Sequence, residues 1–425
     1  MKANFKKAED ILTKYHQEHL LQFYDELSNE QQEYLVNQIL SINFDEIINL
    51  YEKSKLTSTI STEYIEPISY YDKLNFTPND IDIYNSIGQN CIKDGKIAVV
   101  TLAGGQGSRL GYKGPKGTFK LETSPSMSLF EILCNYLKRA NNKFHCTVPW
   151  YIMTSTENHI ATKEFFEQNN YFNYGKENIT FFVQDNLPLI DKNGNLILEE
   201  TYKIKQASNG NGNLFYSLKK NYILNDMIFK KLKWIFIGGI DNVLLDPLDP
   251  FFIGLSEKVG NPIASKTLFK DQEDSLDWVF AVKNGKPAIV DCENFVSELS
   301  KIKDKYGNYL YRETNMLAHL FNIDALKYMS NVCIPYHRAF RKCPFVNEEG
   351  MKQVPELPNV YKFEQFVFDA FSHFDNITLL QVEAEKEFAP IKDFSGPHNP
   401  EVAKEMYEKN VLYSENSLDV NIYSL

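Results

Sequence analysis

Six short apolar runs constrain this 425-residue chain more than any other feature: KIAVVTLA (Lys96–Ala103), VPWYIMTS, ITFFVQD, WIFIGGID, WVFAVK and AIVDCE. Each has the length of one strand, and none alternates strictly between polar and apolar as a half-exposed strand does. Between several of them lie segments with helical spacing, such as SLFEILCNYLKRANN and ENHIATKEFFEQN. Strands buried on both faces and separated by helices predict an α/β fold with a mainly parallel, mixed sheet. In such sheets ligands gather beyond the carboxyl ends of the strands.

The remaining segments frame that core. Ile11, Leu12 and Tyr15, then Leu20, Leu21, Phe23, Tyr24 and Leu27, recur at helical steps, and Ser28 with Gln31 forms a capping box for a further helix through Leu35 and Ile39. A polar Ser/Thr/Pro stretch over residues 57–80 reads as an irregular connector. VYKFEQFVFDAFSHF reads as one helix whose aromatics belong to the core. The chain thus divides into three consecutive parts: an N-terminal helical region (1–94), a central catalytic domain (95–390) and a small C-terminal element (391–425).

Charge and composition narrow the class. A net charge of −11 excludes a sequence-independent nucleic-acid binder, so any phosphate site is a local basic pocket on an acidic body. Six cysteines without a C-x-x-C pair read as reduced thiols. The N-terminal stretch lacks a signal-peptide apolar core, and the longest apolar region is broken by Asp241, Asp246 and Asp249. A cytoplasmic protein without a membrane segment is expected.

The first apolar run ends in LAGGQGSRLGYKGPKGTFK (Leu102–Lys120). Leu110 stands where a dinucleotide fingerprint needs its third glycine, and Gly117-Thr118 follow Lys116 in an order that no P-loop has. The composition nevertheless suits phosphate. Positive φ at Gly104, Gly105 and Gly107 is expected to turn backbone N–H groups inward around an anion. Arg109, Lys113, Lys116 and Lys120 supply cations, and Pro115 stiffens the approach to Lys116. Asp241, at the end of WIFIGG, is either a turn residue before Asn242 or a carboxylate poised for Mg²⁺ shared with phosphates.

L-A-G-G-Q-G-S-R-L-G followed by P-K-G resembles the signature of eukaryotic-type UDP-N-acetylglucosamine pyrophosphorylases. VQDNLPLI, ASNGNGNLFYSL, GGIDNVLLDPLDP, ETNMLAHLF, KFEQFVFDAF and EKEFAPIKD come in that family's order, so the resemblance covers nearly the whole chain. It implies a Rossmann-like nucleotidyltransferase core and the Mg²⁺-dependent reaction of UTP with N-acetylglucosamine 1-phosphate to give UDP-N-acetylglucosamine and pyrophosphate. By resemblance, Arg109, Lys116 and Lys392 are the catalytic cations. Leu102, Ala103, Gly104, Gly105, Gln184, Gly210 and Asp241 bind the nucleotide, with Gln184 at the uracil edge. Asn211, Asp291 and Asn315 bind the sugar.

The chemistry agrees with the residue types. A sugar phosphate is mostly dianionic at pH 7, so it attacks without a general base. Catalysis then rests on positioning and charge neutralisation, and the chain has no nucleophile elbow or metalloprotease helix. Two positions depart from the family: Asp291 replaces a glutamate, and Trp278 stands near a family glycine. K-G-P-K also occurs in UDP-glucose pyrophosphorylases, but those carry histidine where Asn211 stands and lack Gln106. A UDP-glucose or broad UDP-sugar enzyme is thus the rival, and a non-catalytic nucleotide-sugar sensor the second.

Overall fold

A computed structural model of the chain describes residues 2–55, 64–269, 278–291 and 301–420. The fold is α/β. Its main sheet runs in the order Tyr71–Asp72, Thr378–Val382, Ile263–Phe269, Glu313–Asn322, Trp234–Gly239, Ile97–Leu102, Trp150–Thr154, Ile179–Val183. The last four in that order are parallel neighbours. Glu313–Asn322 is antiparallel to the strands on both sides of it, so the sheet is mixed. Every residue of Ile97–Leu102, Trp150–Thr154 and Trp234–Gly239 is buried, which is why these strands are unbroken apolar runs.

A hairpin of Trp278–Lys283 and Lys286–Asp291 joins this sheet, and Ile65–Pro67 pairs with its first strand on the edge that Lys286–Asp291 leaves open. Its turn is Asn284-Gly285, with φ of 51° and 78°, the pair of left-handed residues that a type I′ turn requires. Helix Pro78–Lys93 starts at the end of the 57–80 connector, at a second capping box, Thr77 with Asp80. It crosses helix Pro250–Val259 at backbone contact: a Cβ on Gly88 would lie 1.9 Å from the Pro250 carbonyl oxygen.

The chain divides into two compact units that do not match the three consecutive blocks of the sequence reading. The larger comprises 63–183, 214–333 and 368–425 and contains the main sheet. The smaller comprises 1–62, 184–213 and 334–367. In it, helices Lys2–Tyr15, Asn29–Ser41 and Phe44–Lys55 pack their apolar faces on Leu187, Ile190, Leu196, Ile204 and Phe363. Both halves of the Ser28/Gln31 capping box are made. VYKFEQFVFDAFSHF is not one helix. Val360–Glu364 is a strand between His337–Arg341 and Ile190–Asp191, and Val367–His373 is a 3₁₀ turn. Valine, tyrosine and phenylalanine suit a strand, and pairing with distant partners decides the outcome over helical spacing.

Candidate functional site

In the larger unit, Ile97–Leu102 and Trp234–Gly239 run in parallel and end together, with Leu102 opposite Gly239. The glycine loop leaves one strand and Asp241 leaves the other. Asn158, fully buried, fixes the start of the loop by donating to the carbonyl oxygens of Ala103 (2.9 Å) and Gly105 (3.2 Å). The loop then closes on itself: the Gly107 N–H donates to Gly114 (2.9 Å) and the Lys116 N–H to Gly105 (3.1 Å).

The glycines serve differently from the sequence expectation. Positive φ falls at Gly111 (66°) and Gly114 (155°), while Gly107 has an ordinary φ of −81° and neither Gly104 nor Gly105 is left-handed. Space is the reason for Gly107, since a Cβ there would sit 2.7 Å from the Tyr112 ring. A Cβ on Gly105 would meet nothing within 4 Å, so that backbone lies open to a ligand.

Lys116 begins a short 3₁₀ turn, and its Nζ lies 3.4 Å from Asp241 Oδ2, with the side chains 13% and 29% exposed. The segment carrying Lys392 comes to the same place through its main chain. The Ile391 N–H donates to the Asp241 carbonyl (2.9 Å), and Asn242 clamps Glu387 and Ala389 with its side-chain amide. Arg109 completes the group from the solvent side. It is 71% exposed, its guanidinium is 3.8 Å from Asp393, and its carbonyl accepts from the Phe394 N–H (3.2 Å). Arg109, Lys116, Asp241 and the Lys392 segment are therefore neighbours.

The strand register also gathers the sugar candidates of this unit. Thr267 faces Asn315, Val279 faces Thr314 and Trp278 faces Asp291, so Asn315, Trp278 and Asp291 form one row across adjacent strands. Asn315 Oδ1 accepts from the Leu317 N–H (2.9 Å), and Leu317 itself has φ of 57°. A left-handed leucine is costly and persists only where its surroundings hold it; no sequence signal singles it out. The Trp278 ring lies on Phe368, 5.0 Å between centroids. The Asp291 side chain lies outside the described residues.

In the smaller unit, buried Gln184 bonds through its amide to Ser208 Oγ, and the Asn209 N–H donates to the Asp185 carbonyl (3.2 Å). These bonds bring the Gln184 segment and the Gly210-Asn211-Gly212 loop together. Gly210 has φ of 94°, and a Cβ there would fall 2.2 Å from the Gln365 carbonyl oxygen, so only glycine fits. Asn211 Oδ1 accepts from the Val367 N–H (3.0 Å), which fixes its amide. Gln365, which the sequence did not single out, holds this loop by accepting from the Gly212 N–H (2.9 Å).

A lysine paired with a carboxylate beyond the carboxyl ends of parallel strands, beside an open glycine loop, is the arrangement of an α/β phosphate-binding protein. The chain belongs to the UTP–glucose-1-phosphate uridylyltransferase family, whose model matches residues 42–414. It is similar to the UDP-N-acetylglucosamine pyrophosphorylase of Saccharomyces cerevisiae, at 35% identity over 77% of this chain and 71% of the yeast protein. UDP-N-acetylglucosamine diphosphorylase 2 of Arabidopsis thaliana is 31% identical over 92% of this chain and 81% of its own length. The crystal structure of the uridine diphosphate N-acetylglucosamine pyrophosphorylase from Trypanosoma brucei, solved with an inhibitor, superposes with a TM-score of 0.80. That match has 26% identity over 95% of this chain and 84% of the trypanosome chain. Among the described residues no helix is long and apolar enough to cross a membrane.

Proposed function

We propose that this protein is a uridylyltransferase that makes UDP-N-acetylglucosamine and pyrophosphate from UTP and N-acetylglucosamine 1-phosphate. The observation that carries the reading is the Lys116–Asp241 contact with the Lys392 segment hydrogen-bonded to the Asp241 main chain. A phosphate oxygen of the sugar phosphate attacks the α-phosphorus of UTP in line as the bond from that phosphorus to the β-phosphate oxygen breaks. Lys116, Arg109 and Lys392 offset the charge that passes to the departing pyrophosphate. No proton has to move, because the nucleophile is already an anion.

Asp241 is the residue that would hold Mg²⁺. No group of three or more His, Cys, Asp or Glu side chains gathers among the described residues, so a metal there would share one carboxylate with phosphates and water, as suits Mg²⁺. When bound, the ion would neutralise phosphate charge. Gln184 donates and accepts, which suits the imide edge of uracil, and Asn211, Asn315 and Asp291 are offered to the sugar.

The test is a competition between N-acetylglucosamine 1-phosphate and glucose 1-phosphate at equal concentration with limiting UTP. The acetamido sugar should win by about tenfold or more, because its loss leaves buried polar partners unpaired. A win for glucose 1-phosphate moves the assignment to a UDP-glucose enzyme.

A further inference from the structure

Lys266 is a fully buried lysine in the Ile263–Phe269 strand, surrounded by apolar core. Its Nζ lies 2.9 Å from Asp249 Oδ2 and is ion-paired with Glu387 Oε2. Lys73 adds a second, partly exposed cation 3.6 Å from Asp249 and 3.9 Å from Glu387. Burial opposes the charge on Lys266, yet the two carboxylates outweigh it and hold the ammonium above its ordinary range. A buried ion pair seldom stabilises a fold more than well-packed apolar side chains of the same volume would. Its presence here calls for a geometric reason.

That reason lies in the residues just after Glu387. The Glu387 carbonyl accepts from Asn242 Nδ2 (2.7 Å), the Ala389 N–H donates to Asn242 Oδ1 (2.8 Å), and the Ile391 N–H donates to the Asp241 carbonyl (2.9 Å). Lys392 is the next residue. The ion pair thus fastens one end of a short segment whose other end, at Ile391, is hydrogen-bonded to the Asp241 main chain just before Lys392. We propose that Lys266 and Glu387 are positioning residues that set where Lys392 stands. Asp249 has a separate duty, since its Oδ1 accepts from the Phe251 N–H (3.0 Å) as the cap of helix Pro250–Val259.

The inference rests on the uridylyltransferase reading, and it is tested by two readouts, of which one does not depend on activity. Glu387→Gln keeps the backbone carbonyl and the side-chain volume but removes the charge that Lys266 holds. Its kcat should fall by about tenfold to a hundredfold, the scale of misplacing a catalytic group by about 1 Å, with the KM for UTP within about threefold of wild type. Amide exchange should quicken in peptides covering 388–399 and stay unchanged in helix Leu129–Phe144. Asp249→Asn serves as the comparison, because asparagine still caps a helix and leaves the Lys266–Glu387 pair in place. It should lower the melting temperature yet keep kcat within about threefold. Lys266→Met is the direct variant, and Glu387→Gln decides the matter if the methionine variant does not fold. Wild-type exchange over 388–399 in Glu387→Gln, an unchanged kcat, or equal kcat losses in both carboxylate variants would each overturn the proposal. A wild-type protein that turns over no sugar phosphate would instead overturn the functional reading, while the exchange experiment would still judge the tether.

Discussion

Lys116→Ala separates catalysis from folding more cleanly than any other single change. The variant removes one ammonium and leaves Asp241 in place. The contact is 3.4 Å long between side chains 13% and 29% exposed. The contact is long and the carboxylate partly exposed, so water screens it in part and its loss should cost the fold about 1 kcal/mol. The reaction should suffer more, because the departing pyrophosphate gains charge in the transition state that bound UTP does not carry. Losing one such preorganised donor costs about 10²–10³ in kcat, or about 3–4 kcal/mol. The catalytic loss should therefore exceed the stability loss by about threefold in free energy. The forward rate is read as pyrophosphate release coupled to a pyrophosphatase, the reverse as UTP formed from UDP-N-acetylglucosamine and pyrophosphate. Because the overall equilibrium is a property of the reactants, both directions should lose comparable transition-state stabilisation. A kcat within about threefold of wild type at an unchanged melting temperature would refute the role of Lys116. A collapse of folding that accounts for all the lost activity would make the residue structural.

Three further predictions concern other parts of the molecule. Asp241→Asn should raise the Mg²⁺ concentration needed for half-maximal rate, and an unchanged titration would remove Asp241 from the metal site. Burial lifts the Glu313 carboxyl to about 7, against about 4.3 for an unfolded glutamate. Between those values the folded chain holds a proton that the unfolded chain releases, so stability falls as pH rises through that window and is level above it. Glu313→Gln, whose neighbour Gln381 donates to Glu313 Oε1 at 2.7 Å, should flatten this segment and melt above wild type at pH 8. Parallel melting curves across the window would contradict it. Gly88→Ala forces a Cβ to within 1.9 Å of the Pro250 carbonyl oxygen, so the two helices must part at a cost of about 1–3 kcal/mol or more. Thermal unfolding should register that loss, and an unaltered melting temperature would show that the helix contact yields freely.

Some of this was legible in the residues because the physics is local. Ile97–Leu102 and Trp234–Gly239 could be read as buried strands from composition alone, and the place of Asp241 followed from the strand before it. Lys392 was not legible without a family resemblance. Its position is set by bonds to Asp241 and Asn242, some 150 residues earlier, and no local pattern encodes such a pairing. Asn158 and Gln365 escaped for the same reason, since each serves a carbonyl or amide of a distant loop. Val360–Glu364 was misread because its aromatics fit both periods until the partner strand His337–Arg341 is known. The two units were hidden because each is assembled from three separated stretches of chain.

The central claim is tested most directly by phosphorus NMR of the purified protein with UTP, N-acetylglucosamine 1-phosphate and Mg²⁺. The account predicts that UTP and sugar-phosphate signals decline together while UDP-N-acetylglucosamine and pyrophosphate rise in equal amounts, with no inorganic phosphate and no lag. Unchanged spectra, or release of phosphate without a nucleotide sugar, would contradict it.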